Sequence, residues 1–511
     1  PLNKWVPGGQ NEDRYFREPH VYAILVLLLF ADAATAGAVP PLFVTIPDHA
    51  TAVDGGLSRG VAFGDADGDG DVDLLVANTI NYPEFLYRND GDRFVQVMET
   101  APSLAGGFTE GVNWIDFDND GDLDIFAART DRPNTLYRND GDWSFAEQEA
   151  GDLSMDHSAS SMACWADVDG DGWLDVFVVN RGGENDALYR NLNGRSFERI
   201  ADDVVGRAGG DGRSCVFADL DGDADPDLYV GNFVDSSTQT PTKQRNYLYF
   251  NQGNFRFTEV REGHAVESRA LTYGTSATDA DNDGDLDLFV TNIGTGDRNH
   301  LYLNDGDGTF HLHEAGFSTP VRKPSKGHTW GDFDLDGDID VAIANGTEGT
   351  EHIHNQLYLN DGAADFVAVT GEEFVTDAHI SAGVAWADID ADGDLDLYVA
   401  NWGGGDQDNV MYQNQAQGTW LKLSLSGSAS NRMAVGARVS ITTRLEGQPN
   451  RQVRWLGTTT GYASQNELIL HFGLGGATTI EKLSIDWPSG RRDTFENVSA
   501  NQHLHINEGA T

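Results

Sequence analysis

The segment DADGDGDVD, residues 65–73, decides the fold because it recurs. Six more segments align with it: DFDNDGDLD at 116–124, DVDGDGWLD at 167–175, DLDGDADPD at 219–227, DADNDGDLD at 279–287, DFDLDGDID at 332–340 and DIDADGDLD at 388–396. Their spacings are 51, 51, 52, 60, 53 and 56 residues. A fixed period of this size marks an array of one structural unit rather than a set of unrelated domains.

Each unit has the same internal order. An aromatic residue stands two positions before the acidic segment (Phe63, Trp114, Trp165, Phe217, Trp330 and Trp386, with Ala277 the exception). An apolar run such as LLVAN or VFVVN follows and reads as a short strand. Next comes a Leu-Tyr element, at Leu86-Tyr87, Leu136-Tyr137, Leu188-Tyr189, Leu248-Tyr249, Leu301-Tyr302, Leu357-Tyr358 and the variant Met411-Tyr412. Most of these run into Asn-Asp-Gly or a similar turn, a strong hairpin signal. A strand opening with Phe completes the unit. Four short strands per unit, repeated with no helical period, predict the blades of a β-propeller, here seven. The Phe-led strands begin at Phe43, Phe94, Phe145, Phe197, Phe257, Phe310 and Phe366, so the first precedes the first acidic loop and the last unit lacks its own. The segment FVTI from Phe43 is therefore expected to complete the seventh blade, which also protects edge strands that an open solenoid would expose.

In the pattern DxDxDGxxD the chain curls around a point. Side chains at positions 1, 3 and 5 converge, Gly at position 6 permits the sharp turn, position 7 offers its backbone carbonyl, and the Asp at position 9 closes the cage. Roughly six to eight hard oxygen ligands suit Ca²⁺. The expected side-chain ligands are Asp65, Asp67, Asp69 and Asp73; Asp116, Asp118, Asp120 and Asp124; Asp167, Asp169, Asp171 and Asp175; Asp219, Asp221, Asp223 and Asp227; Asp279, Asp281, Asp283 and Asp287; Asp332, Asp334, Asp336 and Asp340; and Asp388, Asp390, Asp392 and Asp396. The expected carbonyl donors at position 7 are Asp71, Asp122, Trp173, Asp225, Asp285, Asp338 and Asp394. Trp173 fits a role that uses only the backbone. The fourth loop is the weakest, with Ala224 in place of Gly and Pro226 inside it. An EF-hand needs an acidic residue at position 12 and flanking helices; position 12 is apolar here, as at Val76 and Val399, and the flanks read as strands. An acidic turn without metal is the plain alternative for one loop, but clustered carboxylates repel one another without a cation, and seven copies argue against it. The cofactor call is Ca²⁺, up to seven ions, one per blade.

The repeats resemble the FG-GAP/VCBS repeats of integrin-type propellers. Near the C-terminus, GTWLKLSLSGSASNRMAVGARVSI, GYASQNELILHFGLG and IDWPSGRRDTF resemble the UnbV/ASPIC domain. Together they resemble the secreted cartilage acidic protein family, which has many bacterial members, over residues 41–511. The resemblance implies a calcium-bearing extracellular propeller, residues 41–415, with a small all-β domain, residues 416–511, and no established catalytic mechanism. Read alone, the second region shows strands at 419–426, 434–443, 451–457, 467–473, 479–487 and 502–507, the pattern of a small β-sandwich. Its basic residues Arg432, Arg438, Arg444, Arg451, Arg454, Arg491 and Arg492 either dock on the acidic propeller or lie on solvated strand faces.

Residues 1–40 form an N-terminal arm. VYAILVLLLFA at 21–31 followed by small residues is signal-peptide-like, and is equally readable as a retained apolar arm that docks on a neighbouring copy. It is too short for a comfortable membrane span, with Asp32 at its end. Both readings imply export.

The chain has 511 residues, 33 Lys+Arg against 82 Asp+Glu and a formal net charge of −49. That charge excludes a nucleic-acid binder working by a basic footprint. Apolar residues at 39% exclude general disorder. Motifs for nucleophilic, zinc-peptidase or nucleotide chemistry are missing, so no catalytic residues are expected. Three His-x-His pairs, His311/His313, His352/His354 and His503/His505, read as surface or packed histidines. Cys164 and Cys215 precede their loops by three and four residues, so their side chains are expected on opposite sheet faces; export permits a disulfide between them, but none is assigned. Asn345 and Asn497 fit the glycosylation pattern. The functional expectation is a secreted, non-enzymatic, calcium-binding interaction or structural protein that self-associates or binds an extracellular protein or glycan. The alternatives are a subunit of an extracellular filament docked through residues 1–40 and, third, a polysaccharide-active enzyme.

Overall fold

Seven four-stranded antiparallel sheets account for most of the chain. A computed structural model describes residues 42–510 except 47–50, 52–54, 92, 202–203, 207–209, 236–241, 295, 315, 318–322 and 404–406. The N-terminal arm, with both of its readings, lies outside the described residues.

The first sheet shows how sequence becomes blade. Ser58–Gly64 is the innermost strand, Asp73–Asn78 the second, Phe85–Asn89 the third and Phe94–Gln96 the outermost. The acidic loop links the first two strands, and the Leu-Tyr element lies on the third. The innermost strands of consecutive sheets pack against one another, and Ser381–Ala387 of the last packs against Ser58–Gly64 of the first, closing the cycle. The last sheet takes its outermost strand from the other end of the chain: Phe43–Thr45 pairs with Val410–Asn414, Phe43 opposite Asn414. The expected closure is thus observed, and the propeller hides its edges. The aromatic residues before the loops fill the seams between sheets. Trp114, Trp165 and Trp386 are fully or almost fully buried there, and Trp165 meets Phe126 of the preceding sheet edge to face at 5.4 Å.

Cys164 and Cys215 form a disulfide, with Cα atoms 6.0 Å apart, where none was assigned. The two side chains need opposite sheet faces for this. Consecutive blades stack so that one face of a sheet meets the opposite face of the next, and cysteines on Ser160–Ala166 and Gly212–Ala218, offset by one position, point into the same seam.

After the propeller come a three-stranded sheet, ordered Leu470–Gly473, Trp420–Ser426, Gln502–Asn507, and a four-stranded sheet, ordered Gln448–Trp455, Arg438–Leu445, Thr479–Asp486, Arg492–Ser499. Leu421, Leu423, Val439, Ile441, Phe472, Leu483, Ile485 and Trp487 form the core of this sandwich. Arg492–Ser499 is a strand that the sequence pattern does not announce, since its polar residues Arg492, Thr494, Glu496 and Asn497 alternate with little apolar content.

The segment Gly457–Glu467 leaves the sandwich and enters the axis of the propeller, where it bonds to blade after blade. Gln465 exchanges main-chain bonds with Val61 and Phe63, and its side chain bonds both the N–H and the carbonyl of Trp114. Thr458 does the same for Trp165 through its hydroxyl. Thr460 reaches His328, the Gly461 carbonyl accepts from Thr275, and Asn466 accepts from Thr329 and Trp386. Such closeness demands glycine: a Cβ on Gly60 would stand 2.2 Å from the Ala463 carbonyl oxygen, and one on Gly461 2.3 Å from that of His328. The axial segment thus gives backbone and side-chain partners to one innermost strand after another.

Candidate metal sites

All seven loops leave an innermost strand at the same end of the propeller. Position 9 anchors each one. Its Asp accepts the N–H of position 2 on one oxygen and the N–H of the third-strand Asn on the other: Asp73 takes Ala66 at 2.8 Å and Asn89 at 2.9 Å, and Asp124, Asp175, Asp227, Asp287, Asp340 and Asp396 repeat the pair. The loop curls because position 1 accepts the N–H of position 6, as Asp65 does from Gly70 at 3.0 Å and Asp332 from Gly337 at 3.0 Å. In the fourth loop Asp219 accepts from Gly222 at 2.9 Å as well as from the Ala224 N–H at position 6, and Ala224 takes the left-handed backbone, φ 74°, that glycine takes elsewhere.

The result brings carboxylates together. Oxygens of Asp65, Asp67 and Asp73 lie within 4.8 Å of one another, as do those of Asp116, Asp118 and Asp124; Asp167, Asp169 and Asp175; Asp219, Asp221 and Asp227; and Asp279, Asp281 and Asp287. Position 5 stands outside these trios. In every loop its carboxylate accepts the N–H of position 7, as Asp69 does from Asp71 at 2.9 Å and Asp171 from Trp173 at 3.1 Å. Position 5 shapes the turn and positions 1, 3 and 9 make the concavity.

Among the described residues, buried oxygens without a hydrogen-bond partner belong to Asp65, Asp279 and Asp388 at position 1 and to Asp118, Asp169 and Asp334 at position 3, with Asp394 at position 7 of the last loop beside them. Burial pushes the position-9 carboxyls up, Asp73 to about 8 and Asp124 to about 9, with like-charged neighbours adding to the effect and backbone N–H bonds opposing it. Asp116 and Asp279 at position 1 are pushed to about 7 by the same burial, with neighbouring carboxylates adding to it. Orphaned buried carboxylate oxygens in these loops, met by chain cations only at single points such as Arg190 on Asp169 at 2.7 Å and Lys422 on Asp388, are a donor set that fits a hard divalent ion.

The sequence reading missed the clasp that holds the loops in register. The third-strand Asn gives its side-chain N–H to the position-2 carbonyl of the preceding loop: Asn139 to Ala66, Asn191 to Phe117, Asn251 to Val168, Asn304 to Leu220, Asn360 to Ala280 and Asn414 to Phe333, at 2.7–3.1 Å. Asn89 closes the ring on Ile389 at 3.0 Å. The signal was available, for Asn follows each Leu-Tyr pair at a fixed distance in all seven repeats.

The sandwich covers part of the loop face. Lys422 bonds Asp388 at 2.9 Å, Arg432 lies 4.0 Å from Asp116, and Arg438 donates to the Gly284 carbonyl at 3.2 Å. Arg454 is buried near Asp332 and Asp279. Gly473 is forced by the approach of Asp332, whose oxygen would lie 2.1 Å from a Cβ there. Arg444, Arg491 and Arg492 instead pair within the sandwich, with Glu481, Asp493 and Asp486. The basic residues thus divide between docking and the sandwich's own faces. His311 pairs with Asp305 at 2.8 Å and His503 with the Ser424 hydroxyl at 2.6 Å. Asn345 is fully buried, so only Asn497 of the two glycosylation patterns is exposed.

Fold and loops together define a repeat propeller with acidic turns. The FG-GAP-like repeat model matches residues 65–127, 116–178, 167–230, 279–343 and 332–399, more than half of the chain, and the ASPIC and UnbV model matches residues 427–511. The chain belongs to the FG-GAP repeat proteins that carry this C-terminal domain. It is similar to cartilage acidic protein 1 of Mus musculus, 24% identical over 502 residues that cover 90% of this chain and 74% of the relative. It is likewise similar to cartilage acidic protein 1 of Xenopus tropicalis, 24% identical over 469 residues, 75% of this chain and 70% of the relative. Among solved structures, the BP39L lectin of Burkholderia pseudomallei aligns at 13% identity with a TM-score of 0.44, covering 70% of this chain and 96% of the lectin. Among the described residues no helix is long and apolar enough to cross a membrane.

Proposed function

We propose that the chain is a secreted calcium-binding protein in which a seven-bladed propeller, residues 41–415, is made rigid by one Ca²⁺ per acidic loop and carries a docked β domain, residues 416–511. Positions 1, 3 and 9 supply the carboxylates, position 7 supplies a carbonyl, and position 5 holds the turn and completes the ligand shell. The ions are structural. Each one neutralises carboxylates that burial and mutual repulsion otherwise disfavour, and ties the start of the second strand to the loop before it. The protein works outside the cell as an interaction or structural module rather than as an enzyme. The relatives' name, which joins cartilage with acidity, supports the setting, and the disulfide between Cys164 and Cys215 agrees with an oxidising compartment.

The observation that carries this reading is the set of buried carboxylate oxygens without hydrogen-bond partners, which falls at position 1 or position 3 in six of the seven loops. Metal analysis of protein dialysed against trace Ca²⁺ tests it. Close to seven ions per chain are expected, and fewer than about four would contradict the ligand assignment.

A further inference from the structure

One face of the four-stranded sheet of the sandwich carries a concavity of about 210 Å³ whose lining differs from the rest of the chain. Its walls are Arg438, Arg451, Lys482 and Arg492, and its floor is Ser440, Thr442 and Ser484. Every one of these side chains can donate hydrogen bonds, and no carboxylate is among them. In a chain with net charge −49 such a lining runs against composition.

The register explains the grouping. Thr442 on Arg438–Leu445 stands opposite Arg451 on one neighbouring strand and opposite Lys482 on the other. With strands about 4.8 Å apart, the two cationic side chains rise from backbones about 10 Å apart on either side of the floor. Ser440 stands opposite Ser484 one row further on, and Arg438 and Arg492 close the next row, both opposite Asp486. Asp486 pairs with Arg438 at 3.5 Å and with Arg492. Arg451 and Lys482, by contrast, form no ion pair and no hydrogen bond among the described residues. Glu496, opposite Lys482 on the next strand, makes no ion pair with it there, and Asp285 of the fifth loop feels the charge of Arg438 and Arg451 without pairing to either.

Two unpaired cations, two half-engaged guanidinium groups and three hydroxyls around one small opening match a ligand with several acceptor oxygens and negative charge, approached from several sides. We propose that this concavity binds a single tetrahedral oxyanion of the sulfate or phosphate class, free or as the ester group of a small molecule. A long polyanion is disfavoured, because beyond the concavity its remaining charges meet an acidic surface. The proposal does not rest on the calcium reading, although Arg438 touches the fifth loop through the Gly284 carbonyl.

Isothermal titration with inorganic sulfate tests the proposal, using the full calcium-loaded chain at ionic strength fixed with chloride. One sulfate per chain is expected with a dissociation constant of roughly a few millimolar or tighter. Arg451→Met with Lys482→Met should weaken binding by at least about tenfold while leaving the melting temperature unchanged, since both side chains are exposed. Lys482→Met alone should weaken it by less. Arg444→Met, on the same sheet but paired with Glu481, should leave it unchanged. No binding up to about 20 mM, or equal affinity in the double variant, would overturn the proposal. A sulfated oligosaccharide separates the sources. It should bind no tighter per sulfate than the free ion, and binding tighter by about a hundredfold would replace the small-oxyanion site with a polyanion surface.

Discussion

Two sets of buried charge stand at opposite ends of the innermost strands, and they solve the same problem differently. At the loop end the buried groups are carboxylates almost alone, and their orphaned oxygens call for an ion from outside. At the other end the second residues of the strands form a ring that includes Arg59, Glu110, Arg213, Tyr273 and Lys326. There Glu110 pairs with Arg59 at 3.8 Å and also with Arg181 and the Tyr462 hydroxyl of the axial segment. Glu348 takes Lys326 at 3.0 Å, Arg59 at 3.5 Å and the Tyr273 hydroxyl at 2.6 Å. Burial would raise Glu110, but Arg59, Arg181 and the Tyr462 hydroxyl outweigh it and hold the carboxyl at about 2. The chain balances both signs at this end, whereas at the loop end Lys422, Arg454 and Arg190 reach only some of the carboxylates. Charge carried within the fold needs no ligand, whereas the loop end makes stability conditional on one.

The largest effect that would break this contrast is at Glu110. Glu110→Gln leaves Arg59 and Arg181 facing a neutral group in a buried site and should cost about 3–5 kcal/mol, read by denaturant unfolding. The loss should be the same with and without Ca²⁺, because the two ends are far enough apart for their effects to add. A loss that disappears on chelation would mean that the two ends are one network.

The asparagine clasp comes next. Asn360→Ala removes the bond to the Ala280 carbonyl and leaves that acceptor buried, so about 1–3 kcal/mol should be lost. Asn89→Ala should cost as much, since its bond to Ile389 joins the first blade to the last in the same way. A cost near zero at Asn89 would imply that closure rests on the strand from Phe43 alone.

The smallest effect concerns Asp186. It is buried and accepts the Asn180 N–H at 2.8 Å, a place that Asn134, Asn246, Asn355 and Asn409 fill in other blades. Burial pushes its carboxyl up to about 8. A folded-state value above the unfolded one means that the folded protein holds the extra proton, so this group's contribution falls as pH rises from about 4 through about 8. Asp186→Asn should therefore raise stability at pH 8 by about 1 kcal/mol, read as a higher melting temperature, and by less at pH 5. Equal melting temperatures for variant and wild type at both pH values would contradict the assignment.

The same contrast governs what the sequence discloses. The ring of blades, its closure through Phe43 and the acidic loops repeat seven times, and a local pattern repeated at a fixed period can be read without coordinates. The clasp asparagines are equally periodic, as the last residue of each Leu-Tyr-x-Asn element, but Asn in Asn-Asp-Gly reads as a turn residue and the pattern does not disclose its bond to the neighbouring loop. The balanced cluster has no such signature. Arg59, Glu110, Lys326 and Glu348 differ in type and fall at unrelated points of the chain, and only the cyclic packing of strands brings them together. The axial segment is hidden for a related reason: GTTTGYASQNE looks like a polar loop of the sandwich, and its bonding capacity is met by seven distant strands. The cysteine pair turned on geometry between sheets, where a one-residue offset that separates side chains within a sheet joins them across a seam.

The central claim is that the loop end depends on an outside cation, and reversible chelation tests it most directly. Melting temperature is measured with saturating Ca²⁺, after removal of Ca²⁺ and after its return. With several sites each stabilising by about 2–3 kcal/mol at saturation, removal should lower the melting temperature by more than about 10 °C, and Ca²⁺ should restore it where equimolar Mg²⁺ does not. A melting temperature unchanged by chelation would contradict the account.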